Sequence, residues 1–252
     1  MLQVPAWPAS TKQQASAGAP ESRGLLPLGI KIPISDSLLW RIRMTLTMIG
    51  TRQPATSRKA TGADIPELAG TLARAFASDP LQRWFFPDDD SRTRKLEPLF
   101  GEVLLEEAVG YGSAYTTDRR EAAALWFPPG KEQIGAMEQL RMLPLMLRLA
   151  GRRLPRVLRG LSFMEARLPP EPHWHLPILG VEPSRQGLGL GTALMQPILD
   201  RCDRDGCGAY LEATTPRNRD LYLRRGFAVR EEVALPGGGP PLWLMWREPA
   251  AL

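Results

Sequence analysis

Residues Leu179–Thr192 read LGVEPSRQGLGLGT. An apolar strand ends at Val181, Pro183 prevents its continuation, and a glycine-rich turn leads straight into the helical pattern Thr192–Asp205. At such a junction successive backbone N–H groups point outward without intrahelical partners, beside the positive end of the helix dipole. That arrangement binds phosphate or pyrophosphate. Glycine is needed there because side chains block close approach and the turn can require positive φ. A dinucleotide fingerprint does not fit, because counting from Gly187 or Gly189 puts Thr192 or Leu194 where the third glycine belongs. A Walker loop does not fit either, because no lysine follows the glycines.

What fits is [Q/R]-x-x-G-x-[G/A], as Gln186-Gly187-Leu188-Gly189-Leu190-Gly191. About 20 residues further on comes Tyr210–Phe227, YLEATTPRNRDLYLRRGF: a strand, an Asn, a short helix with a Tyr, and a closing Gly-Phe. In both blocks the chain resembles the GNAT superfamily of N-acetyltransferases. Within it, Pro172-His173-Trp174, Leu179-Gly180-Val181, Leu211-Glu212-Ala213-Thr214, Pro216-Arg217-Asn218 and Leu235-Pro236 resemble the puromycin N-acetyltransferases and their actinobacterial relatives. Thr71–Asp79 (TLARAFASD) and Glu121–Pro128 (EAAALWFP) extend the likeness over roughly 60–248.

The resemblance implies an α/β (α+β) GNAT fold: a mixed, mostly antiparallel central sheet flanked by helices, with strands splayed at the acetyl-CoA site. It implies acetyl-CoA as cosubstrate and no metal. Gln186, Gly187, Leu188, Gly189, Leu190, Gly191 and Thr192 match the pyrophosphate loop. Leu179, Gly180 and Val181 match the strand whose main chain meets pantetheine and can stabilise an oxyanion. Asn218 matches the side chain that hydrogen-bonds the pantetheine arm. Tyr222 matches the phenol near the acetyl sulfur, where it either protonates the leaving thiolate or hydrogen-bonds it. Glu212 matches the group that takes the amine proton, directly or through water.

Two features depart from the pattern. Pro177 sits inside a strand that should be central, where its missing N–H removes a ladder bond. Gln133–Arg167, which shapes the acceptor pocket in such proteins, has no residue-by-residue match. The acceptor expected is a primary amine on a small molecule, with an amino-bearing antibiotic the first candidate. A protein, peptide or aminoacyl-tRNA acceptor, or a CoA-binding sensor without turnover, are the other readings.

The remaining patterns place elements around the loop. Asp64 N-caps an amphipathic helix to about Ala77, stopped by Asp79-Pro80. A helix is expected from Ser91 to Val109, strands at Gly112–Thr116 and Ala122–Phe127, and short helices within Gln133–Arg167 broken by Pro144 and Pro155. A strand at His175–Val181 precedes the loop. A strand at Ala209–Thr214, a helix at Arg219–Arg224 and a strand at Trp243–Arg247 come after it. Trp84, Phe85 and Phe86 read first as a buried cluster and second as a wall of an aromatic acceptor site. His173 and His175 share one strand face, with packing or exposure expected before pocket lining.

Composition narrows the partners. The chain has 252 residues, 43% of them apolar, with net charge +5, which first invites a nucleic-acid reading. Residues 1–56 hold six Lys or Arg against two acids, net +4, and the other 196 hold 26 against 25, net +1. A nucleic-acid partner is therefore not expected. Residues 141–167 carry seven arginines and one acid, Glu165, most simply a solvated face. Residues 1–56 read as an N-terminal extension, disordered or preceding a native start at Met44 or Met48, and 57–252 as the acetyltransferase domain. No run in the extension approaches the roughly 20 apolar residues of a membrane span, and no signal-peptide pattern is present. A cytoplasmic location without membrane contact is expected, and a homodimer is compatible with the sequence. Two cysteines, Cys202 and Cys207, make neither a disulfide framework nor a four-ligand zinc site.

Overall fold

Strand Ala122–Phe127 sends Ala123, Leu125 and Phe127 into one hydrophobic core and Ala122, Ala124 and Trp126 into another. A strand that is apolar on both faces belongs in the middle of a sheet covered on both sides. The computed structural model describes residues 56–131 and 136–250. The expected N-terminal extension, with Met44 and Met48, lies outside the described residues.

Seven strands form one sheet: β1 Arg58–Lys59, β2 Ala114–Thr116, β3 Ala122–Phe127, β4 His173–Val181, β5 Gly208–Ala213, β6 Ala228–Ala234 and β7 Pro241–Arg247. Their order is β1-β2-β3-β4-β5-β7-β6. Every pairing is antiparallel except β4 with β5. That parallel pair runs only over His173↔Gly208, Trp174↔Ala209 and His175↔Tyr210. Beyond His175 the two strands part, so the sheet opens in its middle.

Pro177 is placed by the same feature. Leu125 pairs with Ile178 and Phe127 with His175, so Leu176 and Pro177 together face Trp126 in a β-bulge. Proline is tolerated where the ladder is already interrupted on both sides. The bulge also reverses the alternation: His173 and His175 share a face with Ile178, while Trp174 and Leu176 enter the opposite core.

The helices are α1 Ile65–Phe76, α2 Pro80–Phe85, α3 Asp89–Pro98, α4 Glu106–Gly110, α5 Ala136–Ala150, α6 Leu154–Glu165, α7 Leu190–Asp205 and α8 Pro216–Leu223. Helix α1 buries Leu68, Ala69, Leu72 and Ala73. It lies close on β4 because Gly180 has no side chain: a Cβ there would fall 2.4 Å from Leu72 Cδ2. Helix α7 covers the other face through Leu194, Met195, Ile198, Leu199 and Cys202.

Several sequence expectations change. Asp64 does not cap α1 with its side chain. Its carboxylate instead accepts from Thr61 N at 2.9 Å and from Arg58, and pairs with Arg120, which lies in the left-handed region at φ 54°. Asp79-Pro80 ends one helix and starts another: Asp79 Oδ1 accepts from Leu81 N and Gln82 N, and Pro80 occupies the first turn. The single helix expected over Ser91–Val109 is α3 and α4 joined by a π-helical stretch, Leu99–Leu105. Pro98 has no N–H to bond back, and the winding widens after it until Glu106 N bonds Gly101 O, five residues back. The short edge strand β1 and the strand β6, almost all exposed, go beyond the sequence reading: neither carries a buried apolar alternation.

Candidate active site

The opening between β4 and β5 leads into a cavity of about 370 Å³. One end holds polar side chains from several elements: Asp79, Gln82, His175, Glu212, Thr214, Asn218 and Tyr222. The rest of the lining is mostly apolar, with Phe85 and Phe86 of the Trp84-Phe85-Phe86 run, the π-helical segment, α5 and α6, the last also supplying Ser162 and Glu165. Among the described residues its acids are Asp79, Glu165 and Glu212, and no Lys or Arg lines it.

The polar end is built by local rules. Helix α8 starts on Thr215, whose hydroxyl accepts from Asn218 N at 3.1 Å, with Pro216 in the first turn. One turn on, Tyr222 is buried against Phe227, ring centroids 5.9 Å apart. Burial, with the negative charges of Asp79 and Glu212, pushes its phenol well above the ordinary value. Such a phenol keeps its proton at neutral pH and is a donor.

Alternation along β5 puts Tyr210 and Glu212 on the cavity face, while Leu211 and Ala213 pack below. The Glu212 side chain is 6% exposed and its Oε2 lies 2.9 Å from His175 Nε2. The His175 ring stands edge-on to Phe127 and tilted against Tyr210. Beside this pair, burial and the charge of Glu212 push the Tyr210 phenol up. Asp79 is also buried, and that burial raises its carboxyl despite bonds from Thr214, Gln82 and Leu81. Neither Asp79 nor Gln82 carries a site signal in the sequence. Asp79 is legible there only as a helix stop.

Residues Leu179–Val181 lie on the stretch of β4 past the last β5 pair, with only β3 alongside. Leu179 lines the cavity; Gly180 turns toward α1. The expected loop comes next as a short turn and then α7. Gly187 and Gly189 take φ 76° and 85°, and a Cβ at either meets nothing within 4 Å. Their requirement for glycine is thus conformational, and the space above them is open. Ala193 N bonds Gly189 O, so the N–H groups of Leu190, Gly191 and Thr192 precede the first intrahelical bond. Gln186 donates to Val181 O at 3.4 Å and accepts from Arg217 at 3.3 Å, which sets a cation beside the loop. Gly191 lies against Leu179 and Val181, where a Cβ would come within 3.5 Å of Leu179 Cδ2. This cradle fits a pyrophosphate: open backbone donors, a helix dipole and a nearby guanidinium.

The structure thus brings Leu179, Glu212, Asn218 and Tyr222 to one cavity, with Gln186–Thr192 outside it at the start of α7. Cys202 is buried and its thiol is pushed up to about 12, chiefly by burial, which disfavours the thiolate that a nucleophile needs.

Residues 158–227 match the acetyltransferase (GNAT) family. An uncharacterized N-acetyltransferase of Schizosaccharomyces pombe is 25% identical over 205 residues, covering 77% of this chain and 83% of that protein. A crystal structure from Corynebacterium glutamicum, described as histone acetyltransferase HPA2 and related acetyltransferase, shares 29% identity and a TM-score of 0.59, covering 78% of this chain and 97% of its own. The polyamine N-acetyltransferase of Drosophila melanogaster shares the fold at 18% identity and a TM-score of 0.52, over 77% of this chain and 99% of its own. Matched segment and relatives together support an acetyl-CoA-dependent acetyltransferase, similar over residues 158–227 to the GNAT family.

Proposed function

We propose that residues 57–252 transfer acetyl directly from acetyl-CoA to the primary amine of a small molecule with a bulky apolar body. The observation that carries this reading is the cavity's lining: a polar cluster of Asp79, Glu212 and Tyr222, a mostly aromatic and aliphatic remainder that also holds Glu165, and no lining cation among the described residues. A protonated amine is drawn to the acidic end, and its body is desolvated by the wall. In this reading the loop Gln186–Thr192 holds the pyrophosphate, Asn218 the pantetheine arm, and the main chain of Leu179–Val181 the thioester oxygen. The Glu212 end removes the amine proton. The amine nitrogen then bonds to the acetyl carbon, the C–S bond breaks with its electron pair leaving on sulfur, and Tyr222 supplies the proton to the thiolate.

The puromycin-type resemblance makes an amino-bearing antibiotic the first acceptor to test. A thiol-release assay with puromycin, phenethylamine, spermidine and a lysine peptide checks the reading. Release is expected with the first two well above the others. Preference for the peptide would point to a protein acceptor, and acetyl-CoA binding without release from any amine would leave a sensor module.

A further inference from the structure

Nine large apolar side chains are exposed among the described residues, and five of them lie on α5 and α6. Leu140, Leu143 and Leu147 are 62%, 37% and 50% exposed, and Leu158 and Leu161 are 45% and 43%. On α5 the three fall at i, i+3 and i+7, one stripe of the helix, while Met146, Leu149 and Ala150 belong to the core. Leu158 and Leu161 repeat the i, i+3 spacing on α6. Leu143, Leu158 and Leu161 also line the cavity, so the exposed patch borders its mouth. The charge around it is one-sided: residues 141–167 carry seven arginines and one acid, Glu165. Arg141 and Arg148 stand about a quarter turn from the α5 stripe, and Arg159 stands likewise from Leu158. Arg152 and Arg153 are exposed in the turn Gly151–Arg153 that joins the helices. Arg156 stacks over the Trp84 ring at 4.8 Å and keeps its charge. Arg148 reaches Glu102 at 3.9 Å, an exposed pair that neutralises little.

We propose that this face of α5 and α6 docks on an anionic bilayer surface, the leucines entering the acyl boundary and the arginines meeting lipid phosphates. Helices that lie in a membrane interface combine an apolar stripe with flanking Arg or Lys. Seven arginines with one acid among them leave a positive surface, and anionic headgroups supply the complement. A protein partner matches the patch less well, because protein contact faces favour aromatic and Met anchors and the exposed patch offers leucine. A folded partner seated there would also close the cavity mouth. No described helix is long and apolar enough to cross a membrane, so the contact proposed is with the surface alone. Residues 141–167 read in the sequence as a solvated face; the exposed leucines between the arginines change that reading. With its mouth turned to the bilayer, the cavity receives an amine with an apolar body from the lipid into which it partitions. That consequence rests on the acetyl-transfer reading above, and the docking does not.

Co-sedimentation of the full chain with lipid vesicles reads the docking without turnover. Phosphatidylcholine vesicles with about one quarter phosphatidylglycerol should bind the chain at about 0.1 M salt, and pure phosphatidylcholine should bind it at least about tenfold less. Leu140 and Leu147 lie outside the cavity lining. Replacing both, Leu140→Ser with Leu147→Ser, should lower affinity for the anionic vesicles by at least about tenfold. Arg152→Ser with Arg153→Ser and Arg159→Ser should lower it by about 10²-fold. All five positions are exposed, so both variants should keep the wild-type thermal midpoint. Failure of the wild type to bind anionic vesicles overturns the proposal with no variant needed. Binding that either variant leaves within about twofold of wild type also overturns it, because the contact then lies elsewhere, as in the basic residues 1–56, or needs no leucine. A dimer in light scattering that the leucine pair breaks, with vesicles unbound, gives the face to a second copy instead. If no amine releases thiol while vesicle binding follows both variants, the acetyltransferase reading fails and the docking stands.

Discussion

Thr214, at the end of β5, donates its hydroxyl to Asp79, 135 residues earlier in the chain. The other oxygen of Asp79 caps α2 by accepting from Leu81 N and Gln82 N. One buried carboxylate therefore ties the strand that carries Glu212 to the helices that wall the cavity.

Burial raises Asp79, so the folded chain holds this proton more tightly than the unfolded one. The group's contribution is greatest below its unfolded value of about 3.9 and declines as pH rises toward the folded value. Asp79→Asn should flatten that part of a plot of urea midpoint against pH. An unchanged slope would mean that the folded carboxylate is ionised throughout.

Asp64 has the opposite sign. The Arg58 guanidinium, with Thr61 and Arg120 beside it, holds its carboxyl far below the usual range against the cost of burial. Its stabilisation is present above about pH 3.9 and is lost as pH falls through the lower folded value. Asp64→Asn should cost about 2–3 kcal/mol near pH 7, the low side for a buried pair because both arginines are a third exposed. Chemical denaturation at pH 7 and pH 3 should show the difference shrink with acid.

Gly180→Ala sets a methyl against Leu72, Phe76 and Ala75, the nearest atom 2.4 Å away. Overpacking at the α1–β4 contact should lower stability by about 1–3 kcal/mol in urea unfolding. Gly187→Ala meets open space but keeps φ 76°, and should cost about 1 kcal/mol from backbone strain alone.

Tyr222→Phe removes the buried phenolic proton and little volume. Turnover should fall by about 10²–10⁴-fold with acetyl-CoA affinity nearly unchanged. Wild-type turnover would remove Tyr222 from the proton path.

Gly189→Glu puts a side chain at φ 85° and a negative charge over the first turn of α7. Thermal stabilisation by acetyl-CoA should disappear, while the midpoint without ligand falls by about 2–4 °C from the strain of a side chain at that φ. Retained stabilisation would place the pyrophosphate elsewhere.

The loop, the strand before it and the helix after it are legible in the sequence, because glycine, proline and apolar periodicity act locally there. Glu212, Asn218 and Tyr222 are legible through spacing within one short block. Asp79 is not, since its partner Thr214 lies in a remote part of the chain and its turn residues read as a stop. His175 is visible only as a strand residue: the pairing of β4 with β5 is what brings Glu212 beside it. Strand β6 lacks the buried alternation that marks strands, and the π-helical stretch looks like ordinary helix in any apolar count.

That stretch, Leu99–Leu105, supplies Leu99, Phe100, Val103 and Leu104 to the cavity. A widened turn accommodates a surplus residue that ordinary winding has no place for. Losing one residue there would turn the side chains that follow it within the stretch by about 100° about the helix axis and change what the stretch presents to the cavity. If the cavity takes the acceptor as proposed, single-codon deletions in this wall, as well as substitutions, would alter which amines fit.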